Sequence, residues 1–179
     1  VQFAVMGSVI ASDLHGVRNP RVGLLNIGEE DIKGTDTLKE AHKRLTGRAI
    51  NYVGFVEGDD IFAGEVDVVV TDGFTGNVTL KALEGLSRFI SGVLREEFSR
   101  SVLRKIGAVA AAPTLTALKG RPDPRVYNGA SMVGLEGVVI KSHGGADRVS
   151  FANAVRVAIT EARNGVPAQI GQLLKQVVG

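Results

Sequence analysis

The sequence predicts an α/β protein: a three-layer arrangement with a mainly parallel sheet and helices on its faces. Three observations carry that expectation. Short β-branched runs alternate with longer segments of helical periodicity. The turns between them are short and rich in Gly, Asp and Asn. Of the 179 residues, 44% are hydrophobic and 22% charged, ordinary values for a globular chain with a sizeable core.

The elements follow in order. Val1 to about His15 is expected to be a helix, with Phe3, Met6, Val9/Ile10 and Leu14 at helical spacing. Asn19-Pro20 breaks it. Val22–Ile27 reads as a buried strand, 28–34 as a charged turn, and Asp36–Thr46 as a helix capped by Asp36. Asn51–Val56 is a second strand, followed by the acidic turn Glu57–Asp60; Val66–Thr71 is a third. Gly137–Ile140 is expected to be a short fourth strand. Ala146–Asn164 reads as a helix ended by Gly165, and Pro167 opens a last helix through Val177.

The stretch from Phe74 to about Ile106 is long for one crossover helix. Val78, Leu83, Leu86, Ile90, Val93/Leu94, Val102 and Ile106 form an apolar stripe. Beyond it, Ala108–Leu118 is weakly polar and centred on Pro113. One reading is a helix that covers the sheet and turns back, at a dimer interface. The other is a helical hairpin over 74–121 with an apolar tip at Leu115 and Leu118, whose basic flanks Arg104-Lys105 and Lys119-Gly-Arg121 meet an anionic membrane surface. The whole chain, 1–179, is expected to be one α/β unit. It enters part-way through a helix without an initiator Met, so a piece of a longer protein is expected.

Several function classes lose support. Net charge is only +2 and there is no Trp, which argues against nucleic acid as a partner. The chain has no cysteine, which excludes disulfides, thiolate catalysis and Cys-ligated metal, and is compatible with a reducing compartment. There is no Gly-x-Ser-x-Gly elbow, Walker loop, His-Glu-x-x-His or dinucleotide glycine motif. Glu29-Glu30 are adjacent in a turn and do not face one another as a carboxylate pair must. Glu57–Asp60 lacks the spacing of a calcium loop and reads as a solvated turn. No metal or cofactor is expected. His15 and His42 read as surface or packing residues.

Three strand-end turns carry candidate chemistry. Asp67–Asn77 runs from a buried strand through Asp72-Gly73 into a helix start, with Gly76 and Asn77 close behind. Open α/β sheets bind ligands at the carboxyl ends of their strands, and a helix N-terminus attracts anions. An ordinary turn in which Asp and Asn cap the backbone is an equal reading. Lys141–Asp147 has the same layout. Lys141 offers a cation, His143 a donor or proton carrier, and Gly144-Gly145 a close backbone approach. The alternative there is a packed His143 and a capping Asp147. Asn26 and Lys33 flank the third turn.

Taken together these motifs are more specific than any one of them. Asn19–Glu30 with Lys33-Gly34, Tyr52–Gly58, Val68–Asn77, Asn128-Gly129-Ala130 and Lys141–Asp147, in this order, resemble the phosphate acyltransferases of bacterial phospholipid synthesis (the PlsX family) over nearly the whole chain. The resemblance implies a fold related to phosphotransacetylase and isocitrate dehydrogenase. It implies that inorganic phosphate attacks a fatty acyl–acyl carrier protein thioester, giving acyl phosphate and free carrier protein, and that the acyl phosphate feeds a glycerol-3-phosphate acyltransferase. It also implies a cytoplasmic homodimer held peripherally at the membrane. On this reading Asn77 and the backbone from Gly73 to Gly76 hold phosphate or the thioester oxygen. Lys141 and His143 stabilise negative charge, and Gly144 and Gly145 let the ligand approach. Asp72 orients a donor or takes a proton from phosphate. Asn128, with Gly129, positions the acyl phosphate, and Asn26 and Lys33 are further contacts. Arg88, Arg95, Arg100 and Arg104 either meet an acidic carrier protein or form a solvated face.

The family's chain is longer and begins with Asp-x-Met-Gly-Gly-Asp, which has no counterpart here. That half contributes strands and part of the cleft, so one wall of the site is expected to be missing. Two other readings stay open. One is a phosphate acetyltransferase-like enzyme using a coenzyme A thioester. The other is a non-catalytic half-domain that docks carrier protein or membrane.

Overall fold

A computed structural model describes residues 1–119 and 128–177. Alternation of strand and helix is realised as an α/β fold. In chain order the elements are α1 (Gln2–His15), β1 (Val22–Leu25), α2 (Asp36–Leu45), β2 (Tyr52–Val56), β3 (Val68–Val70), α3 (Gly73–Ser99), α4 (Val102–Lys119), β4 (Ala130–Ser131), β5 (Ile140–Lys141), α5 (Arg148–Asn164) and α6 (Val166–Val177). They fall into two compact units. One holds Val1–Thr71 with the described residues from Asn128 onward, and the other holds α3 and α4.

In the first unit β1 lies between β2 and β3, and both neighbours run parallel to it. Leu24 sits opposite Phe55 on one side and Val70 on the other. Those three residues, with Val22, Ala4 of α1 and Leu45 of α2, form the main core cluster. Alternation along β1 explains the choice: Val22 and Leu24 project to one face of the pleat. α1 is buried on two sides. Ala4 faces the sheet cluster, while Met6 and Val9 pack with Val166 and Ile170 of α6. Gly7 permits the close crossing, because a Cβ there would stand 2.7 Å from Val68 Cγ1.

The starts of β1 and β3 are pinned by one ion pair. Arg21 donates from its main-chain N and from Nε to Asp67 Oδ2, at 2.8 and 3.0 Å, and from Nη2 to Gly64 O. Its guanidinium holds the Asp67 carboxyl below the usual carboxylate range.

Several expectations are corrected. The segment 137–140 is not a fourth strand of the parallel sheet. Only Ile140–Lys141 is extended, and it pairs antiparallel with Ala130–Ser131. That partner is ten residues away along the chain, so local pairing satisfies the backbone, and Val139 stays exposed. Thr35, not Asp36, caps α2, its Oγ1 accepting from Leu38 N at 3.3 Å. The helical stretch from Phe74 to about Ile106 is not continuous: it breaks at Arg100-Ser101, and Pro113 lies inside α4. Ser101 Oγ accepts from Arg104 N and so opens a new helix. Around this break Arg100 pairs with Glu96 and Glu97, and Arg104 with Glu97. The flank Lys119-Gly-Arg121 and the side chains of Leu115 and Leu118 lie outside the described residues. Among the described residues no helix is long and apolar enough to cross a membrane.

Candidate functional site

The loop after β5 is the most densely braced of the three turns. Asn128 stands just before β4 and all of its amide is in use. Its Nδ2 donates to Ser142 Oγ and to the Ser150 carbonyl, each at 2.9 Å, and its Oδ1 accepts from His143 N at 2.9 Å. One side chain thus ties β4, the loop and the first turn of α5. Asp147 caps that helix, its Oδ1 accepting from Ser150 N and Oγ at 2.8 Å. Ser150 is buried. The Ser131 hydroxyl bonds the buried Glu161 carboxyl, anchoring β4 to α5 a second time.

Gly129 is required by this geometry. Its φ is +122°, outside the range that side-chain-bearing residues adopt readily, and a Cβ would stand 2.9 Å from the Ala154 Cα. Asn128 and α5 can approach only because that atom is absent.

His143 is exposed at the tip of the loop. The Gly145 N–H donates to its Nδ1 at 3.1 Å, and Ala146 N donates to its carbonyl at 3.0 Å. A nitrogen that accepts cannot carry a proton, so the neutral ring bears its hydrogen on Nε2. The imidazole is therefore presented as a directed N–H donor. Acting as a base through Nε2 would move the ring proton to Nδ1 and leave the Gly145 N–H without its acceptor. Lys141, at the end of β5, is exposed and makes no salt bridge among the described residues. Gly144 has open space where a side chain would project.

The second cluster is the start of α3. Asp72 is its cap: Oδ1 accepts from Phe74 N and Thr75 N at 2.9 Å, and Oδ2 from Thr75 Oγ1. The Asp72 carbonyl accepts from Gly76 N. The Thr75 hydroxyl, then the main-chain donors, hold the Asp72 carboxyl below its ordinary range. Three of the N–H groups expected to face an anion are thereby engaged by Asp72 itself. Gly73 N–H and the exposed Asn77 side chain are what the turn presents outward. Orienting a donor fits this Asp72; accepting a proton does not.

The third cluster is the turn after β1. Asn26 is only 7% exposed; its Nδ2 donates to the Lys33 carbonyl at 3.3 Å, and its own N–H donates to Val56 O at 2.9 Å. Gly34 lies over it with φ +82°, and a Cβ there would come within 2.3 Å of Asn26 Oδ1. Asn26 braces the turn from inside, while the Lys33 ammonium reaches to 4.0 Å from Glu30. Asp60 similarly serves its own turn, accepting from Glu57 N at 2.7 Å.

The structure therefore brings Asn128 and Gly129, just before β4, and Lys141, at the end of β5, together with the braced loop that carries His143, Gly144 and Gly145. Asn26 and Lys33 share a second turn of the same unit. Asp72, Gly73, Gly76 and Asn77 form the helix start of the other unit. Sequence reasoning missed Ser142 and Ser150, whose value lies in hydrogen bonds to Asn128 from 14 and 22 residues away.

Parallel strands with helices and polar strand-end turns define an α/β protein, in which His143 stands two residues from Lys141, a lysine without a salt bridge among the described residues. Residues 1–169 match the family described as fatty acid synthesis protein, and the chain belongs to that family. It is 55% identical over 177 residues to a phosphate acyltransferase of Alkalilimnicola ehrlichii, covering 99% of this chain and 52% of that protein. It is 55% identical over 176 residues to a phosphate acyltransferase of Methylococcus capsulatus (98% and 52%). A phosphate acyltransferase of Halorhodospira halophila is 52% identical over 179 residues (99% and 52%). The chain thus spans about half the length of the curated relatives it matches.

Proposed function

We propose that this chain is part of a phosphate acyltransferase of phospholipid synthesis, which converts fatty acyl–acyl carrier protein and inorganic phosphate into acyl phosphate and free carrier protein. The observation that carries the reading is the Gly145 N–H donated to His143 Nδ1, which leaves Nε2–H outward, two residues from a lysine with no salt bridge among the described residues. The name that the relatives share supports it.

The chemistry asks for little more. A phosphate oxygen attacks the thioester carbon, and the carbonyl oxygen becomes an oxyanion. Collapse of that intermediate breaks the carbon–sulfur bond, and the thiolate leaves to take up a proton. Phosphate is itself the nucleophile, so the absence of cysteine is no obstacle. What the protein supplies is placement and a donor for developing charge. His143 Nε2–H donates to the oxyanion or to a phosphate oxygen. Lys141 balances the added negative charge, and Gly144 and Gly145 leave room for the acyl group. Asn128 acts by holding His143, its own amide being fully engaged. Gly73 N–H and Asn77 bind phosphate or the thioester oxygen, oriented by Asp72. Asn26 holds the turn that carries Lys33.

The same reading assigns a fold of the phosphotransacetylase and isocitrate dehydrogenase type, completed by the length that the relatives have beyond this chain. It assigns a cytoplasmic homodimer, peripheral at the membrane, with α3 and α4 as a helical hairpin and a glycerol-3-phosphate acyltransferase downstream. Acyl phosphate formation in an enzyme of the relatives' full length carrying these residues is the test. Loss on His143→Ala is expected. Equal turnover with acyl–coenzyme A in place of the acyl carrier protein thioester would overturn the donor assignment.

A further inference from the structure

A cleft of about 450 Å³ opens beside α2, lined by Asp31, Lys39, His42, Lys43, Thr46 and Phe55. None of the residues assigned to acyl transfer lines it. His42 was expected to be a surface or packing residue, yet its ring is held from three sides. It stacks on Phe55, with centroids 4.6 Å apart and planes 20° from parallel. Its Nδ1 lies 2.8 Å from the Tyr52 hydroxyl, and its Nε2 lies 3.7 Å from Asp31 Oδ1.

The tautomer follows. Burial, and then the Asp31 charge, push the Tyr52 phenol up to about 12, so it keeps its proton at neutral pH. The Asp31 carboxylate, 3.7 Å from Nε2, disfavours a lone pair there, so the neutral imidazole bears its hydrogen on Nε2 and Nδ1 accepts from the phenol. Lys39 and Lys43 stand one helical turn apart on α2, and neither makes a salt bridge among the described residues. Two cations at this spacing repel one another. Lys39 is also partly buried. Thr46 is not a free donor, since its hydroxyl already bonds the His42 carbonyl at 2.9 Å. The cleft thus gathers two ammonium groups that make no salt bridge among the described residues, one directed N–H and an aromatic floor against one exposed lining carboxylate, Asp31; Glu40, whose charge Lys43 feels, is taken by Arg44.

We propose that this cleft binds a phosphate-class oxyanion borne on a small organic body. Lys39 and Lys43 neutralise the anion, and His42 Nε2–H gives it a directed hydrogen bond. The volume falls in the range of small-molecule sites, far beyond the need of a bare ion. Phe55 supplies the apolar floor for the body, and Asp31 accepts from a hydroxyl on it. The assignment is independent of the acyl-transfer reading, because it uses none of the same residues.

The test titrates the 179-residue chain with phenyl phosphate and, separately, with inorganic phosphate, following the His42 ring by NMR and the heat by calorimetry. Phenyl phosphate is expected to saturate and to move the His42 Nε2 signal. Lys39→Gln with Lys43→Gln, both on the polar face of α2, should weaken it roughly tenfold or more, with the helical spectrum unchanged. Asp31→Asn should tighten it severalfold. Tighter binding of phenyl phosphate than of inorganic phosphate supports a phosphate ester as the ligand. Equal binding supports the oxyanion site and assigns it to the free ion. No saturable binding of either probe, or an affinity that neither variant changes, overturns the proposal.

Discussion

The main-chain N–H of His143 donates to Asn128 Oδ1 at 2.9 Å, across 15 residues of sequence. This bond, with the two that Asn128 Nδ2 donates, makes the loop after β5 an extension of β4 and α5. An imidazole on such a loop is aimed before any ligand arrives.

Asn128→Ala should free the loop and leave the Ser142 hydroxyl and the His143 N–H without their Asn128 partner. Loss of about 1–3 kcal/mol of stability is expected. Asn128→Asp keeps the acceptor for His143 N–H and loses both donors. It should retain more of the loop's order than the alanine variant. Hydrogen exchange at His143, compared between the two variants in urea-calibrated conditions, checks the ranking. Equal protection in both would contradict the bond.

The tautomer of His143 is directly observable. In the neutral ring its Nδ1 nitrogen should show the shift of an unprotonated acceptor and its Nε2 that of a protonated nitrogen. A Gly145→Pro variant, which lacks the donating N–H, should lose that bias.

Gly129→Ala places a methyl against the Ala154 backbone at a φ of +122°. Both the strain and the clash should destabilise the unit, by roughly 1–3 kcal/mol for the backbone conformation alone. A denaturation midpoint unchanged from the parent chain would show that β4 and α5 can separate freely.

Two groups give pH signatures of opposite sign. Asp72 is depressed by its capping bonds, so its contribution to stability is present above the ordinary carboxylate pKa and lost as pH falls through its lower folded value. Asp72→Asn keeps a capping oxygen and should flatten that acid limb for α3, read by helical signal. Tyr52 is raised, so its contribution is present below about 10, the ordinary phenol value, and lost as pH rises towards about 12. The chain has two tyrosines. In a Tyr127→Phe background the remaining phenolate absorbance should appear near the higher value, and a midpoint near 10 would contradict the burial of Tyr52.

How much of this the sequence discloses depends on how far each cause acts along the chain. β1, β2 and β3 are legible because Leu24, Phe55 and Val70 lie in short β-branched or aromatic runs, each bounded by turn residues. The Gly165 terminator is legible because an αL helix end needs only its own backbone. The break between α3 and α4 is not anticipated because one apolar stripe runs from Val78 to Ile106 across it, while the hydroxyl of Ser101 opens the new helix. The Val138–Ile140 run looks like a central strand because periodicity does not say which backbone it will pair with. Candidate residues are legible by type, at turns. Their roles are not. That Asn128 supports His143, and that Asp72 consumes the N–H groups around it, rest on contacts which spacing does not encode. The cleft at His42 is hidden for the same reason, since Tyr52 and Phe55 reach it from a different element.

The most direct test is the rate of acyl phosphate formation from fatty acyl–acyl carrier protein and inorganic phosphate, in an enzyme of the relatives' full length carrying His143→Ala or Asn77→Ala. Removing one oxyanion donor should lower turnover by about a hundredfold or more, and Asn77→Ala should raise the phosphate requirement. Near-normal acyl phosphate formation by both variants would contradict the account.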